Sequence, residues 1–274
     1  MKDNDAAFLS LPSRPEKPRD SGITHVLDKG IPLVTLASLL DLAGAHMDIL
    51  KMGWGTSYVS GSVREKVEAC HRHSVRVSTG GTMLEIVAMQ GKVSPFIKWA
   101  AGLGIDTVEV SDGALGLHPQ TRRQLIKELA GEFTVVSEVG SKMASAPVLP
   151  LEWVAHATSD LEAGASHVIA EGRESGTVGL YEADGSVREE LVEVMLDHLP
   201  AERIIFEAPH KAQQTWFVTR VGLDVNLGNV PPDEILGVET LRRGLRADTA
   251  GMSLPTSRPS SPAAFEEDAE DAIG

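Results

Sequence analysis

The chain has 274 residues, 42% of them apolar, enough for one large domain with a sizeable core. A formal net charge of −14 argues against nucleic acid or an anionic membrane as the main partner, although local Arg and Lys can still oppose that sign around a small anion. One cysteine, Cys70, excludes an intrachain disulfide and a thiolate metal cage; no stretch approaches the ~18 apolar residues of a membrane span and the polar start lacks a signal-type apolar run, so the expectation is a cytoplasmic protein.

Residues 1–20 (with Arg14-Pro15-Glu16-Lys17-Pro18) read as a flexible, extended arm. A first strand, Thr24–Leu27, ends in Asp28-Lys29-Gly30. Pro32 opens a helix with apolar residues at Leu33, Leu36, Leu39 and Leu40, closed by Gly44. The second strand, Asp48–Met52, carries Lys51 and runs into Gly53-Trp54-Gly55-Thr56-Ser57, with a helix over Val63–His73. The third, Val75–Val77, ends in Ser78-Thr79-Gly80-Gly81-Thr82 before helical segments at Met83–Met89 and Pro95–Ala101. The fourth, Thr107–Val110, presents Glu109 and ends in Ser111-Asp112-Gly113; its helix runs from His118-Pro119 to Gly131. The fifth, Thr134–Val139, carries Glu138 and leads into Gly140-Ser141-Lys142, with a helix from Leu151 to Ala163 closed by Gly164.

The sixth strand is the most informative. Val168-Ile169-Ala170 is the apolar run of a strand buried on both faces, and it stops abruptly in Glu171-Gly172-Arg173-Glu174-Ser175-Gly176. Its helix is Val187–Leu199. A seventh strand, Arg203–Phe206, ends in Glu207-Ala208-Pro209 before a helix through Gln213, Gln214 and Trp216. The eighth, Asp224–Leu227, ends in Gly228-Asn229, and Asp233–Leu245 form the last helix. Eight strand–helix units imply a parallel sheet closed as a (β/α)8 TIM barrel over residues 21–252. An open doubly wound sheet is the alternative, disfavoured because no Gly-x-Gly-x-x-Gly follows the first strand. Residues 253–274 shift to Pro/Ser and then Glu/Asp and read as a disordered acidic tail.

In a barrel the strand exits converge on one mouth, here gathering Asp28, Lys29, Lys51, Glu109, Asp112, Glu138, Lys142, Glu171, Arg173, Glu174, Glu207, Asn226 and Asn229. Buried charge without partners is costly, so charge at nearly every exit reads as one joint site. The acids suit a hard divalent cation, Mg2+ foremost, which takes a few carboxylates and keeps water or substrate oxygens as its other ligands. Zinc spacings are missing, and the histidines (His25, His71, His73 and His156 among them) are scattered as structural or surface residues. Basic residues beside glycine-rich turns suit an anionic, phosphorylated substrate, with Arg173 the best phosphate candidate. Arg242 lies on the order of 15 Å along the last helix, away from the mouth, and reads as a salt bridge beneath the barrel or a subunit contact.

Taken together these blocks resemble the phosphosulfolactate synthase family, which opens the phosphoenolpyruvate route to coenzyme M in methanogens. The resemblance runs from about Gly22 to Gly251 through Leu27-Asp28-Lys29-Gly30, Lys51-x-Gly53-Trp54-Gly55-Thr56-Ser57 and Gly80-Gly81-Thr82-x-x-Glu85. It continues in Glu109-x-Ser111-Asp112-Gly113, Glu138-Val139-Gly140-x-Lys142, Glu171 to Gly176, Phe206-Glu207-Ala208-Pro209, Gln213-Gln214, Asn226-Leu227-x-Asn229 and Glu239 to Arg246. It implies Mg2+-dependent addition of sulfite to C3 of phosphoenolpyruvate, giving (2R)-2-phospho-3-sulfolactate, by a homo-oligomer. On that reading Lys142 is the general acid, with Lys51 and Lys29 as further catalytic cations. Asp112, Glu138 and Glu171 are the metal-ligand candidates, and Arg173, Gly80, Gly81, Ser175, Gly176, Asn226 and Asn229 are the substrate and phosphate contacts. This chain departs from the family pattern at Thr79, where proline is usual, at His210, where glutamine is usual, and at Ala247, where glycine is common. The alternatives are a different nucleophile on phosphoenolpyruvate, a non-catalytic role like that of heat-stress-associated plant relatives, and a Schiff-base aldolase.

Overall fold

In the computed structural model, residues 8–140 and 148–253 are described. Eight strands close a barrel in sequence order: β1 Thr24–Asp28, β2 Ile49–Met52, β3 Arg76–Thr79, β4 Thr107–Val110, β5 Thr134–Val139, β6 His167–Ala170, β7 Ile204–Glu207 and β8 Asn226–Val230. Every neighbouring pair is parallel, and β8 returns to β1 with a register shift between Thr24 and Val26. Helices α1 Leu33–Ala43, α2 Thr56–Val59, α3 Val63–Arg72, α4 Gly81–Met89, α5 Val93–Leu103 and α6 Pro119–Leu129 flank the first half. The second half carries α7 Pro150–Ala163, α8 Glu189–His198, α9 Lys211–Arg220, α10 Ile235–Arg242 and the short α11 Ala250–Ser253. This is the TIM barrel expected from the alternation of strands and helices. No helix among the described residues is long and apolar enough to cross a membrane.

The strands are short and β-branched, so alternate residues face the helices and the barrel axis. The outward set packs two large apolar layers against the helices, one around Leu50, Val77, Val108 and Ile126, the other around Val168, Phe206, Phe217 and Val230. The inward set holds a separate small apolar floor, Val136, Ile169 and Ile205. Two residues further along each strand, on the same face, come Glu138, Glu171 and Glu207. One period-2 step therefore converts a dry floor into an acidic ring at the carboxyl end of the barrel.

Three expectations change. The arm is anchored rather than free over residues 8–20: Arg14 reaches Asp224 (2.7 Å), Glu239 (3.2 Å) and the Gly22 carbonyl (2.8 Å), while Arg19 pairs with buried Asp48 (2.9 Å). Its cations find carboxylates and carbonyls beneath the barrel, which a local reading of its prolines does not show. Arg242 is fully buried there, but it donates to the carbonyls of Leu223, Val225 and Ile23 rather than forming an ion pair. The last strand begins at Asn226 instead of Asp224, so the two asparagines of Asn226-Leu227-Gly228-Asn229 stand at opposite ends of β8. The tail beyond 253 lies outside the described residues.

Two buried histidines tie this core to pH. Burial, then the charges of Lys51 and Arg76, holds His25 well below the ordinary imidazole value, and burial, then Arg76 and Arg203, takes His167 down to about 4. Both are neutral in the fold, whereas the unfolded chain protonates as pH falls through ~6.5. Their contribution is complete above ~6.5 and is lost as pH falls through about 4 at His167. Urea denaturation at stepped pH is expected to show stability falling over that window, with a contribution of up to about 1.4 kcal/mol per pH unit per histidine. His167→Gln should flatten the slope.

Candidate active site

The mouth is organised by Lys51 on β2. Its ammonium lies 2.7 Å from Glu109 of β4, 3.4 Å from Glu207 of β7 and 3.8 Å from Glu138 of β5, and all four side chains are buried. Burial works against the charged amine, but Glu109, Glu207 and Glu138 outweigh it and hold the pKa well above the ordinary lysine value. Lys51 is thus a fixed cation, suited to stabilising negative charge rather than giving up a proton.

The same carboxylates shape the surrounding loops. Glu109 accepts the Gly81 amide at the start of α4 (2.7 Å). Glu207 accepts the amides of Gly172 and Arg173 (2.9 Å each), and Glu171 also accepts that of Arg173 (2.7 Å). The Tyr181 hydroxyl donates to the Glu207 carbonyl and stacks its ring where a side chain on Gly172 would sit, 2.5 Å from an added Cβ. Glu85 of α4, fully buried, accepts Ser111 Oγ (2.5 Å) and the amides of Ala114 (3.1 Å) and Leu115 (2.6 Å), fixing the loop after β4.

Between these groups lies a cavity of ≈ 360 Å3, walled by Lys51, Trp54, Glu109, Glu138, Glu171, Arg173, Glu174, Glu207 and Asn229. Trp54 (φ 53°), Arg173 (φ 56°) and Asn229 (φ 51°) all adopt left-handed backbone that disfavours L side chains, and all three face this one cavity. Strain of that kind persists where surrounding contacts over-determine it, which is characteristic of active sites.

The expected site residues divide. Lys51, Glu138, Glu171, Arg173 and Asn229 come together in the cavity. Gly80 and Gly81 line it, yet their amides are committed to the Met52 carbonyl (3.0 Å) and to Glu109, so they do not form a phosphate cradle. Their need for glycine is steric: an added Cβ would lie 2.7 Å from Trp54 N at Gly80 and 2.4 Å from Ser111 Oγ at Gly81. Lys29 is exposed on an adjoining cavity of ≈ 520 Å3 shared with His210, Glu174 and Asn229.

Asp112 is not brought to the acidic ring. Its Oδ1 pairs with Arg122 (2.9 Å), which is buried, forks onto Asp160 and donates to the Glu138 carbonyl (2.7 Å); burial pushes the Asp112 carboxyl up despite Arg122. Asn226 sits at the far end of the barrel, its amide spent on Ile23 N and the carbonyls of Glu202 and Ile204. Ser175 is exposed, and the Gly176 carbonyl is held by Gln213 (2.9 Å). Lys142 lies outside the described residues. Glu109 and Glu207 had no assigned role, although both stand at strand exits two residues beyond an inward-facing position.

The profile of the (2R)-phospho-3-sulfolactate synthase (ComA) family matches residues 12–248. The chain belongs to the phosphosulfolactate synthase family. It is 42% identical over 250 residues to the phosphosulfolactate synthase of Methanothermobacter thermautotrophicus, covering 89% of this chain and 96% of that one. It is 37% identical to that of Bacillus subtilis over 88% of this chain and 97% of that one, and 24% identical to the Arabidopsis thaliana protein HEAT-STRESS-ASSOCIATED 32 over 86% and 91%. Among solved structures, a phosphonopyruvate hydrolase complexed with oxalate and Mg2+ superposes with a TM-score of 0.52 at 12% identity, over 88% of this chain and 87% of that one. At that identity the likeness concerns the fold alone. Family membership makes the chain an enzyme by kinship, with a small-molecule site.

Lys51→Met removes the cation facing Glu109, Glu138 and Glu207 and is expected to lower stability by about 3–5 kcal/mol, read from urea denaturation. Gly81→Ala should cost about 1–3 kcal/mol through its contact with Ser111.

Proposed function

We propose that the protein is a phosphosulfolactate synthase that adds sulfite to C3 of phosphoenolpyruvate, giving (2R)-2-phospho-3-sulfolactate. The observation that carries this reading is the fixed Lys51 cation at the floor of a strained, acid-walled mouth, in a chain whose relatives at 37–42% identity bear that name. The sulfite lone pair forms the C3–S bond, and the C2=C3 electrons move into the substrate carboxylate as an enediolate. A proton is then delivered to C2. Positive groups near the carboxylate lower the barrier because the charge there grows on the way to the transition state. Lys51 is built for that task, and the exposed Arg173 offers a bidentate fork to phosphate or sulfite oxygens. Proton delivery remains assigned to Lys142 by family resemblance.

The donor set suits Mg2+. The described wall sets Glu109, Glu138, Glu171, Glu174 and Glu207 against Lys51 and Arg173, an acidic excess that an anionic substrate tolerates best beside a divalent cation. Among the described residues no three His, Cys, Asp or Glu converge as a ready-made cage. Mg2+ needs only one or two carboxylates when substrate oxygens and water complete its shell. Glu138 and Glu171, cavity-lining carboxylates on adjacent strand exits, would hold it, Glu138 being the farthest of the three carboxylates from Lys51 (3.8 Å), whereas Asp112 is engaged by Arg122. When bound, Mg2+ would supply further charge stabilisation at the substrate carboxylate. A Schiff-base role for Lys51 is disfavoured, since a nucleophilic amine must be neutral. A homo-oligomer, checked by light scattering, belongs to the same proposal.

Phosphorus NMR of phosphoenolpyruvate with sulfite is the test. The expected result is a new phosphoester signal that requires Mg2+, disappears with EDTA and is lost in Lys142→Ala. Arg173→Gln should lower kcat/KM on the order of 10²-fold, mainly through KM. Phosphoenolpyruvate left unchanged by folded, metal-supplied protein would overturn the sulfite assignment.

A further inference from the structure

At the end of the barrel opposite the mouth, Arg14 and Arg19 are paired with acids, but among the described residues Arg76 is not. Arg76 opens β3, aligned through Ile49 of β2 with His25 of β1 and two residues before Ser78, the partner of Lys51. That alternation turns it toward the barrel axis at the base. Its guanidinium is partly exposed, and among the described residues neither a carboxylate nor a side-chain hydrogen bond engages it. Two neighbouring cations donate to carbonyls. Lys17 donates to Gly44 (2.7 Å), His73 (3.3 Å) and Ser74 (3.3 Å), and Arg203 donates to Ser166 and to Ala165 (3.0 Å).

Two acids at this end are engaged, Asp48 through both oxygens and Asp106 through Oδ2. Asp48 is held by Arg19 (2.9 Å) and the Thr24 amide (2.9 Å), and Asp106 Oδ2 by His71 (2.8 Å) and the Val77 amide (2.8 Å). Asp20, beside His167, is exposed and offsets the excess only in part. The result is mutual repulsion: Arg76 adds to the burial that depresses His25, His167 and Lys17. A partly buried cation without an ion-pair partner is unfavourable, and in a chain of net charge −14 an unpaired guanidinium is a local feature with its own ligand chemistry. A cavity of ≈ 390 Å3 opens at this point, walled by Arg76, Lys17, Ser74, His71 and Asp106.

We propose that this basal cavity is a second binding site, separate from the catalytic mouth, for a small multiply charged oxyanion of the phosphate or sulfate type, free or carried on a metabolite, with the Arg76 guanidinium as its forked donor. An oxyanion there supplies the missing counter-charge, and the planar guanidinium matches two of its oxygens. Lys17 and the Ser74 hydroxyl wall the same space, and Asp106 keeps one oxygen turned to His71 and Val77. The site requires nothing of the catalytic mouth, so it stands or falls independently of the proposed reaction.

Ring signals of 13C-labelled histidine report it locally, because His71 lines the cavity and His167 responds to Arg76. Titration of the full chain with inorganic phosphate is expected to move both signals, in the wild type and equally in Arg173→Gln, and to leave them still in Arg76→Gln. Parallel titrations with sulfate and with phosphoenolpyruvate distinguish a free anion from a metabolite-borne group by which binds tighter. Without anion, Arg76→Gln should melt about 2–4 °C above the wild type through relief of repulsion. If that variant fails to fold, Arg76→Lys keeps the charge and is expected to weaken phosphate binding on the order of tenfold. Histidine signals that ignore phosphate in the wild type, or follow it equally in the Arg76 variants, overturn the proposal.

Discussion

The buried ammonium of Lys51 among Glu109, Glu138 and Glu207 is the interaction on which the rest of the mouth depends. Three carboxylates on three different strands cannot be taken out of water together unless a cation offsets them. Lys51 supplies that offset from β2. The cluster in turn fixes the loops, because each carboxylate has an oxygen or a backbone neighbour left to bind an amide. Glu109 sets the start of α4, Glu207 sets Gly172 and Arg173, and the Glu138 carbonyl receives Arg122 from α6. Charge at the centre thus becomes geometry at the rim, where Trp54, Arg173 and Asn229 are held in left-handed backbone. A site assembled in this way is pre-organised before substrate arrives, the condition under which electrostatic stabilisation is most effective.

Much of this was legible in the sequence, and the reason is periodicity. Strand–helix alternation counted to eight gives the barrel, and the polar exits locate its mouth. Val168-Ile169-Ala170-Glu171 shows the local rule in four residues: an apolar floor, then an acid two positions later on the same face. Lys51, Glu138, Glu171, Arg173 and Asn229, which the strand exits and the family resemblance nominate together, line the cavity at the mouth. Asn226 was misplaced because Asn-Leu-Gly-Asn offers no signal for where β8 begins, and a shift of two residues moves the first asparagine to the base of the barrel.

Other features depend on partners distant in sequence. That the amides of Gly80 and Gly81 are already used is known only once Glu109 and Met52 are in place. Asp112 resembles a metal ligand from its block, yet Arg122, ten residues away on α6, claims it. The N-terminal arm reads as free because its anchors, Asp48, Asp224 and Glu239, lie far along the chain. Local chemistry nominates residues, and tertiary pairing decides which of them remain available to a ligand.

The two ends of the barrel settle their charge in opposite ways. At the mouth, the carboxylates of the cavity wall exceed the described cations Lys51 and Arg173, so the excess there is negative charge. At the base, Arg14 and Arg19 are answered by Asp224, Glu239 and Asp48, whereas Lys17, Arg203 and Arg242 rest on carbonyls that neutralise nothing. Carbonyl caps provide good hydrogen bonds but leave the net field in place. Between the two ends lies the apolar floor of Val136, Ile169 and Ile205. Screening is weak across this low-dielectric layer. A dry layer between the ends therefore lets each settle its charge separately, the acidic ring around Lys51 at the mouth and the unpaired Arg76 guanidinium at the base.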